Sequence, residues 1–220
     1  MAYLESCSGI VTDVQAIRIR KLFKDFDADY IVMDYRGVGA PVADLIMATT
    51  LVDKETGEQY EPLGATDDKL HEDRCSNMNA PRVLYAFVGT DNRNEQMAIR
   101  LLNAIQSKKI RFLKDENVVV AETISRLKGY DEYSTNLKVK LKDPFLQTSF
   151  AVHEMLNLEG DRSSRKIKIK EMSGRKDRYS GIAMANYYAS ELAHKNLRKS
   201  NRFWKDEDDE EDEVLGVYMA

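Results

Sequence analysis

Apolar and polar residues recur along the chain with two periods, and the switches between them mark the elements. In VTDVQAIRIRKLFKDF (11–26), Val14, Ile17, Leu22 and Phe26 return at near-helical spacing with charges between them, which predicts an amphipathic helix. DYIVMD (29–34) has an apolar centre bounded by polar residues and predicts a buried strand of a parallel or mixed sheet. The turn RGVGAP (36–41) leads into PVADLIMATT, where Pro41 suits a first helical turn. Strand, glycine turn and helix form one α/β unit.

Residues 53–80 are polar and carry Gly57, Pro62 and Gly64, so a long loop or excursion is expected there. RVLYAFV (82–88) is the second strong strand. NEQMAIRLLNAIQSKK (94–109) predicts a helix with Met97, Leu101, Leu102 and Ile105 on one face. A further strand is expected to begin at 110–113, and a helix over 115–129. NLKVKLK (136–142) alternates apolar and basic residues, as a half-exposed strand would, and RKIKIKE (165–171) alternates again. Between them 147–158 reads as a helix. The last helix is expected over 179–199, with Ile182, Ala185, Ala189 and Leu192 along one side. Strands alternating with helices predict an α/β domain.

Charge divides the chain in two. Its 220 residues sum to a formal charge of -4, but 206–213 is an unbroken run of eight acids, so without that run the total is +4. A block of like charges repels itself and buries nothing, so a disordered acidic tail is expected over 201–220 and one folded domain over 1–200. The tail ends in the apolar segment VLGVYMA and suits a tether, a DNA mimic or a plain solubilising extension. No apolar run reaches the roughly 18 residues that span a bilayer, and the N-terminal MAYLESCSGI lacks the features of a signal peptide. Two cysteines, Cys7 and Cys75, make neither a disulfide framework nor a zinc cluster; both are expected to be unpaired and buried, in a chain of a reducing compartment.

The eleven glycines include no phosphate-loop motif, and Gly37 and Gly39 lack the third glycine of a dinucleotide fingerprint. His71, His153 and His194 are scattered, and only His153, beside Glu154, is a weak site candidate. Asp34 and Asp177 stand out. Asp34 ends an apolar strand, where open α/β sheets gather their sites; the alternative is a turn-stabilising role. Asp177 precedes the last helix, where it is either a cap or the second member of a metal-binding pair. Two metals held by such acids can activate water and stabilise the leaving oxygen of a phosphodiester. Lys166, Lys168, Arg175, Lys176 and Arg178 lie near Asp177 in sequence and suit a polyanion, or else a solvated face.

DADYIVMDYRGVGAPVADLIM resembles the second acidic motif of the nuclease domain of tailed-bacteriophage terminase large subunits. RVLYAFVGTDNRNEQMAIRLLNAIQSKKIRF resembles that domain's next strand and helix. KDPFLQTSFAVHEMLNLE, RKIKIKE and RKDRYSGIAMANYYAS resemble its end. The resemblance covers 1–200 and implies an RNase H-like fold with a mixed central sheet flanked by helices. It implies a Mg²⁺- or Mn²⁺-dependent endonuclease that cuts concatemeric double-stranded DNA during packaging in the host cytoplasm. By position it makes Asp34 and Asp177 metal-binding and catalytic, gives Arg178 a phosphate contact, and gives Asp44 a structural role. It implies portal protein, small terminase subunit or an upstream terminase chain as partners, and no membrane. The family's first acid lies upstream of the segment that MAYLESCSGI resembles, so the chain is expected to be incomplete on that side and weak or inactive alone. The competing readings are a non-catalytic DNA- or portal-binding module and another RNase H-like enzyme.

Overall fold

The computed structural model describes residues 3–161, 168–171 and 176–208. The chain begins with helix α1 (Thr12–Asp25), followed by strand β1 (Ile31–Asp34) and helix α2 (Gly39–Ala48). A short hairpin, β2 (Leu51–Val52) and β3 (Gln59–Tyr60), leads to β4 (Gly64–Ala65), α3 (Asp68–Arg74), β5 (Arg82–Phe87) and α4 (Asp91–Gln106). Then come α5 (Glu116–Glu122), two 3₁₀ turns, the long α6 (Thr135–Leu156), the strands β6 (Leu158–Asp161) and β7 (Lys168–Glu171), and α7 (Asp177–Asp208). Residues 162–167, 172–175 and 209–220 lie outside the described residues. Helix α7 thus runs past the 200/201 boundary that the charge pattern suggested, and the rest of the acidic tail lies outside the described residues.

The architecture is α/β, as the alternation predicted. The central sheet has the order β1-β5-β4 and both of its pairings are parallel, where a mixed sheet was expected. The antiparallel strands pair among themselves instead, β2 with β3 and β6 with β7. Register puts Asp34 opposite Phe87 at the end of the β1–β5 ladder.

Alternation along β5 feeds two cores. Leu84 and Ala86 face a cluster with Ala16 of α1 and with Val42, Ala43, Ile46 and Met47 of α2. Tyr85 and Phe87 face the opposite cluster, with Met97 and Leu101 of α4 and Tyr179, Ala183 and Tyr187 of α7. Leu84 is 0% exposed at the sheet centre, a burial that stabilises the fold by about 1.5–3 kcal/mol. Aromatic packing joins the layers: Tyr85 stacks on Tyr188 with centroids 4.0 Å apart, and Phe87 meets Tyr187 edge-on at 5.6 Å.

Several local expectations give way to packing. Residues 53–80 fold, through the β2–β3 hairpin, β4 and α3. No strand starts at 110–113, and α5 ends at Glu122. The alternating 136–142 is the first part of α6, not a strand. Ser134 caps that helix, accepting from Leu137 N–H at 3.3 Å, and Leu137, Leu141 and Phe145 repeat at i, i+4, a helical spacing that coexists with the alternation. The inner faces of α1 and α7 are rotated from those expected. Helix α1 buries Ala16 and Arg20, leaving Val14 and Phe26 exposed. Helix α7 buries Tyr179, Ala183, Tyr187 and Tyr188, because the sheet offers it aromatic partners. Within α4, Leu102 and Ile105 are exposed while Met97, Leu101 and Ala104 are buried. Cys75 is buried and unpaired as expected, whereas Cys7 is exposed.

Candidate functional site

Strands β1 and β5 are neighbours, yet the helices that follow them leave toward opposite faces, α2 into one core and α4 into the other. Diverging connections open a crevice outside the carboxyl ends of the strands. A cavity of about 370 Å³ lies there. Asp34 and Arg36 line it from the end of β1, Gly89, Asp91 and Asn94 from the end of β5 and the start of α4, and Lys176, Tyr179 and Ser180 from the start of α7. Two acids and two cations therefore share the lining.

Backbone geometry fixes the first wall. Gly37 adopts φ +53°, in the left-handed region. Gly39 lies so close to the Asp34 carbonyl oxygen that an added Cβ would sit 1.8 Å from it. Tyr35 donates its N–H to the Phe87 carbonyl at 2.8 Å, continuing the ladder past Asp34. Its hydroxyl donates to Asp44 Oδ1 at 2.7 Å, and Asp44 Oδ2 lies 3.6 Å from Arg74. Burial, then this hydrogen bond, pushes the Tyr35 phenol up to about 12. Asp44 thus holds the strand end in place, the structural role expected of it.

The second wall is the N-terminus of α4. Thr90 caps it, its Oγ1 accepting from Arg93 N–H at 3.3 Å. Asp91 is the first helical residue, where a carboxylate is favoured by the helix dipole. Gly89 packs under the Asn94 side chain, whose Oδ1 would lie 2.9 Å from a Cβ added there.

The third wall is positioned by Glu154 of α6. Its Oε2 accepts from the N–H groups of Arg178 and Tyr179 at 3.0 and 3.1 Å, capping α7 from another helix. Its Oε1 takes the Arg178 guanidinium at 2.6 Å. Gln147 Oε1 accepts from the same guanidinium at 3.0 and 2.7 Å, which also lies over the Phe150 ring at 5.3 Å.

The expected site residues are therefore dispersed. Asp34 and Lys176 line the cavity. Asp177 is exposed, one residue from Lys176, and is not part of the lining. Arg178 was expected at a phosphate, but its guanidinium is held inside the fold by Glu154 and Gln147. Lys168 opens β7, while Lys166 and Arg175 lie outside the described residues. His153 is exposed on α6 and its neighbour Glu154 is the residue that matters.

Asp91 was missed by the sequence reading. Its signal was the one that singled out Asp34: an acid just beyond an apolar strand and a glycine, in RVLYAFVGTD. Asp34 and Asp91, with Asn94 and Ser180, supply oxygen donors of the kind that hard divalent cations take. Among the described residues no group of three or more His, Cys, Asp or Glu is placed to hold a metal. An open Mg²⁺ site needs one or two carboxylates and completes its shell with water and phosphate, so in donor chemistry the lining carries the residue types such a site uses.

No family model matches this chain, and no curated protein or solved structure does. Among the described residues no helix is long and apolar enough to cross a membrane.

Proposed function

We propose that the chain is a divalent-metal-dependent DNA endonuclease module with an RNase H-like architecture, of the kind found in phage packaging terminases. The carrying observation is the cavity at the carboxyl ends of two adjacent parallel strands, whose lining includes Asp34, Asp91, Arg36 and Lys176. In this reading Asp34 and Asp91 hold Mg²⁺ or Mn²⁺, and Arg36 and Lys176 attract the phosphodiester. The metal supplies Lewis acidity and an activated water when bound. The protein's part is to orient the phosphodiester against the two carboxylates and to neutralise its charge. Asp177, exposed at the start of α7 one residue from Lys176, would be a further ligand in this reading. Among the described residues β1 pairs with β5, and in this reading its other edge is where a partner strand carrying a further acid would pair. Portal protein, small terminase subunit or an upstream terminase chain remain the partners that this reading implies, in the host cytoplasm.

One observation favours a second reading, a non-catalytic DNA- or portal-binding module: the described residues assemble no group of three metal-binding side chains.

Mn²⁺ binding followed by electron paramagnetic resonance, together with nicking of supercoiled plasmid, separates the two. The nuclease reading expects Mn²⁺ binding weakened about tenfold or more in Asp34→Asn and in Asp91→Asn, since each removes one of two charged ligands. It also expects slow, Mn²⁺-dependent nicking that both variants abolish. DNA retention with no nicking, and with Mn²⁺ affinity equal in all three proteins, refutes it in favour of the binding module.

A further inference from the structure

Helices α4 and α7 run side by side in the same direction. Their first turns share the cavity, where Asp91, Asn94 and Met97 meet Tyr179 and Ser180. Further along, Arg100 donates to Ser190 Oγ at 2.7 Å and pairs with Glu191. With Arg100 level with Glu191, the end of α4 at Gln106 is level with residue 197, whereas α7 continues to Asp208. At about 1.5 Å per residue, α7 overshoots the end of α4 by about 17 Å. Helix α4 buries Met97, Leu101 and Ala104 but leaves Ile99, Leu102 and Ile105 39%, 54% and 37% exposed. This apolar stripe runs into SKKIRFLK (107–114), which carries four cations and no acid. Lys108 takes φ +56°, the left-handed position after a helix that glycine fills more easily. A cation stands there instead, exposed next to exposed Lys109, and among the described residues neither makes an ion pair.

We propose that residues 209–220 fold back on α4 of the same chain, with the acids against Lys108 and Lys109 and the apolar VLGVYMA along Ile105, Leu102 and Ile99. Direction, reach and order choose this occupant. The course of α7 delivers the segment to the end of α4 where the cations are. Extended, the five acids of 209–213 span about 17 Å, the distance back to that end, and the seven residues of 214–220 span about 23 Å. The stripe from Ile105 to Ile99 needs only about 9 Å of that. Leaving α7, the chain presents acids first and apolar residues second. A segment returning along α4 meets cations first and apolar residues second. Docking removes two apolar surfaces from water, and the lysines offset the mutual repulsion of the acids. The contact lies away from the cavity and is independent of the nuclease reading.

Photocrosslinking of the full chain, with benzoylphenylalanine in place of Tyr218 and the linked peptides mapped by mass spectrometry, tests this. At low salt the cross-links are expected within one chain, to residues 99–109. Salt at about 1 M, where the screening length falls to about 3 Å, should lower their yield. Reversing both cations, Lys108→Glu with Lys109→Glu, should lower it about fivefold or more, the sum of two exposed pairs lost and made repulsive. Both lysines are exposed, so circular dichroism should show an unchanged fold. Adding Glu211→Lys and Asp212→Lys to the reversed chain should restore the yield, and a yield that stays low overturns the pairing. Cross-links that miss 99–109, or a yield indifferent to salt and to charge reversal, overturn the proposal. Cross-links between chains that rise with protein concentration overturn it in favour of a second copy as the occupant.

Discussion

Replacing Glu154 by Ala removes three interactions at once. Two are the N–H groups of Arg178 and Tyr179 at the start of α7, and the third is the Arg178 guanidinium. Loss of a helix cap costs about 1 kcal/mol. Loss of a charge-assisted hydrogen bond costs about 1.5–3 kcal/mol. The side chains of Arg178 and Glu154 are 21% and 10% exposed, so the pair lies between a surface bridge and a fully buried one. Gln147 still accepts from the guanidinium, which limits the penalty. The sum is about 3 kcal/mol, equivalent to a fall of about 6–12 °C in melting temperature for a chain of this size. Glu154→Gln keeps an acceptor for the helix N–H groups and loses the charge, so about half that fall is expected. A cycle with Arg178→Met, read by urea denaturation, should return a coupling above about 1 kcal/mol. Glu154→Ala within about 0.5 kcal/mol of wild type, the range of an ordinary surface substitution, would refute the assignment of Glu154 as the clamp on α7.

Two further outcomes concern Gly39, which packs on the Asp34 backbone, and Glu5, which pairs with Arg18 of α1. Gly39→Ala puts a methyl where the Asp34 carbonyl oxygen already lies, 1.8 Å away; the backbone must move, so a loss of about 3 kcal/mol in denaturation is expected, and Mn²⁺ affinity should fall with it because Asp34 shifts. Burial pushes the Glu5 carboxyl up, but hydrogen bonds from Arg18 and Tyr3 outweigh it and hold the group below its ordinary value. A depressed folded pKa gives stability that is present above the ordinary carboxylate range and lost as pH falls through the folded value. Wild type should therefore lose more melting temperature than Glu5→Gln between about pH 6 and pH 3. The excess is under about 1 kcal/mol, since Arg18 is 52% exposed; equal losses would rule the contribution out.

The sequence by itself determined the elements whose period is unambiguous. Helices α1 and α4 and strands β1 and β5 are there because no other local structure buries their apolar residues. It also singled out Asp34 as a candidate, since an acid closing an apolar strand gains nothing from the core, and the fold puts that residue in the cavity lining. It did not determine 136–142, where an i, i+4 repeat lies beneath an i, i+2 alternation. The choice fell to helix α6, which Ser134 caps and which buries Thr148 and Ala151 further along. It did not determine the inner face of α7, because tyrosines turn inward only when an aromatic sheet face is there to receive them. Tertiary structure alone took Arg178 from solvent and tied it to Glu154, 24 residues earlier in the chain. It alone placed Asp91 beside Asp34 in one cavity, because only strand order decides which two strand ends are neighbours.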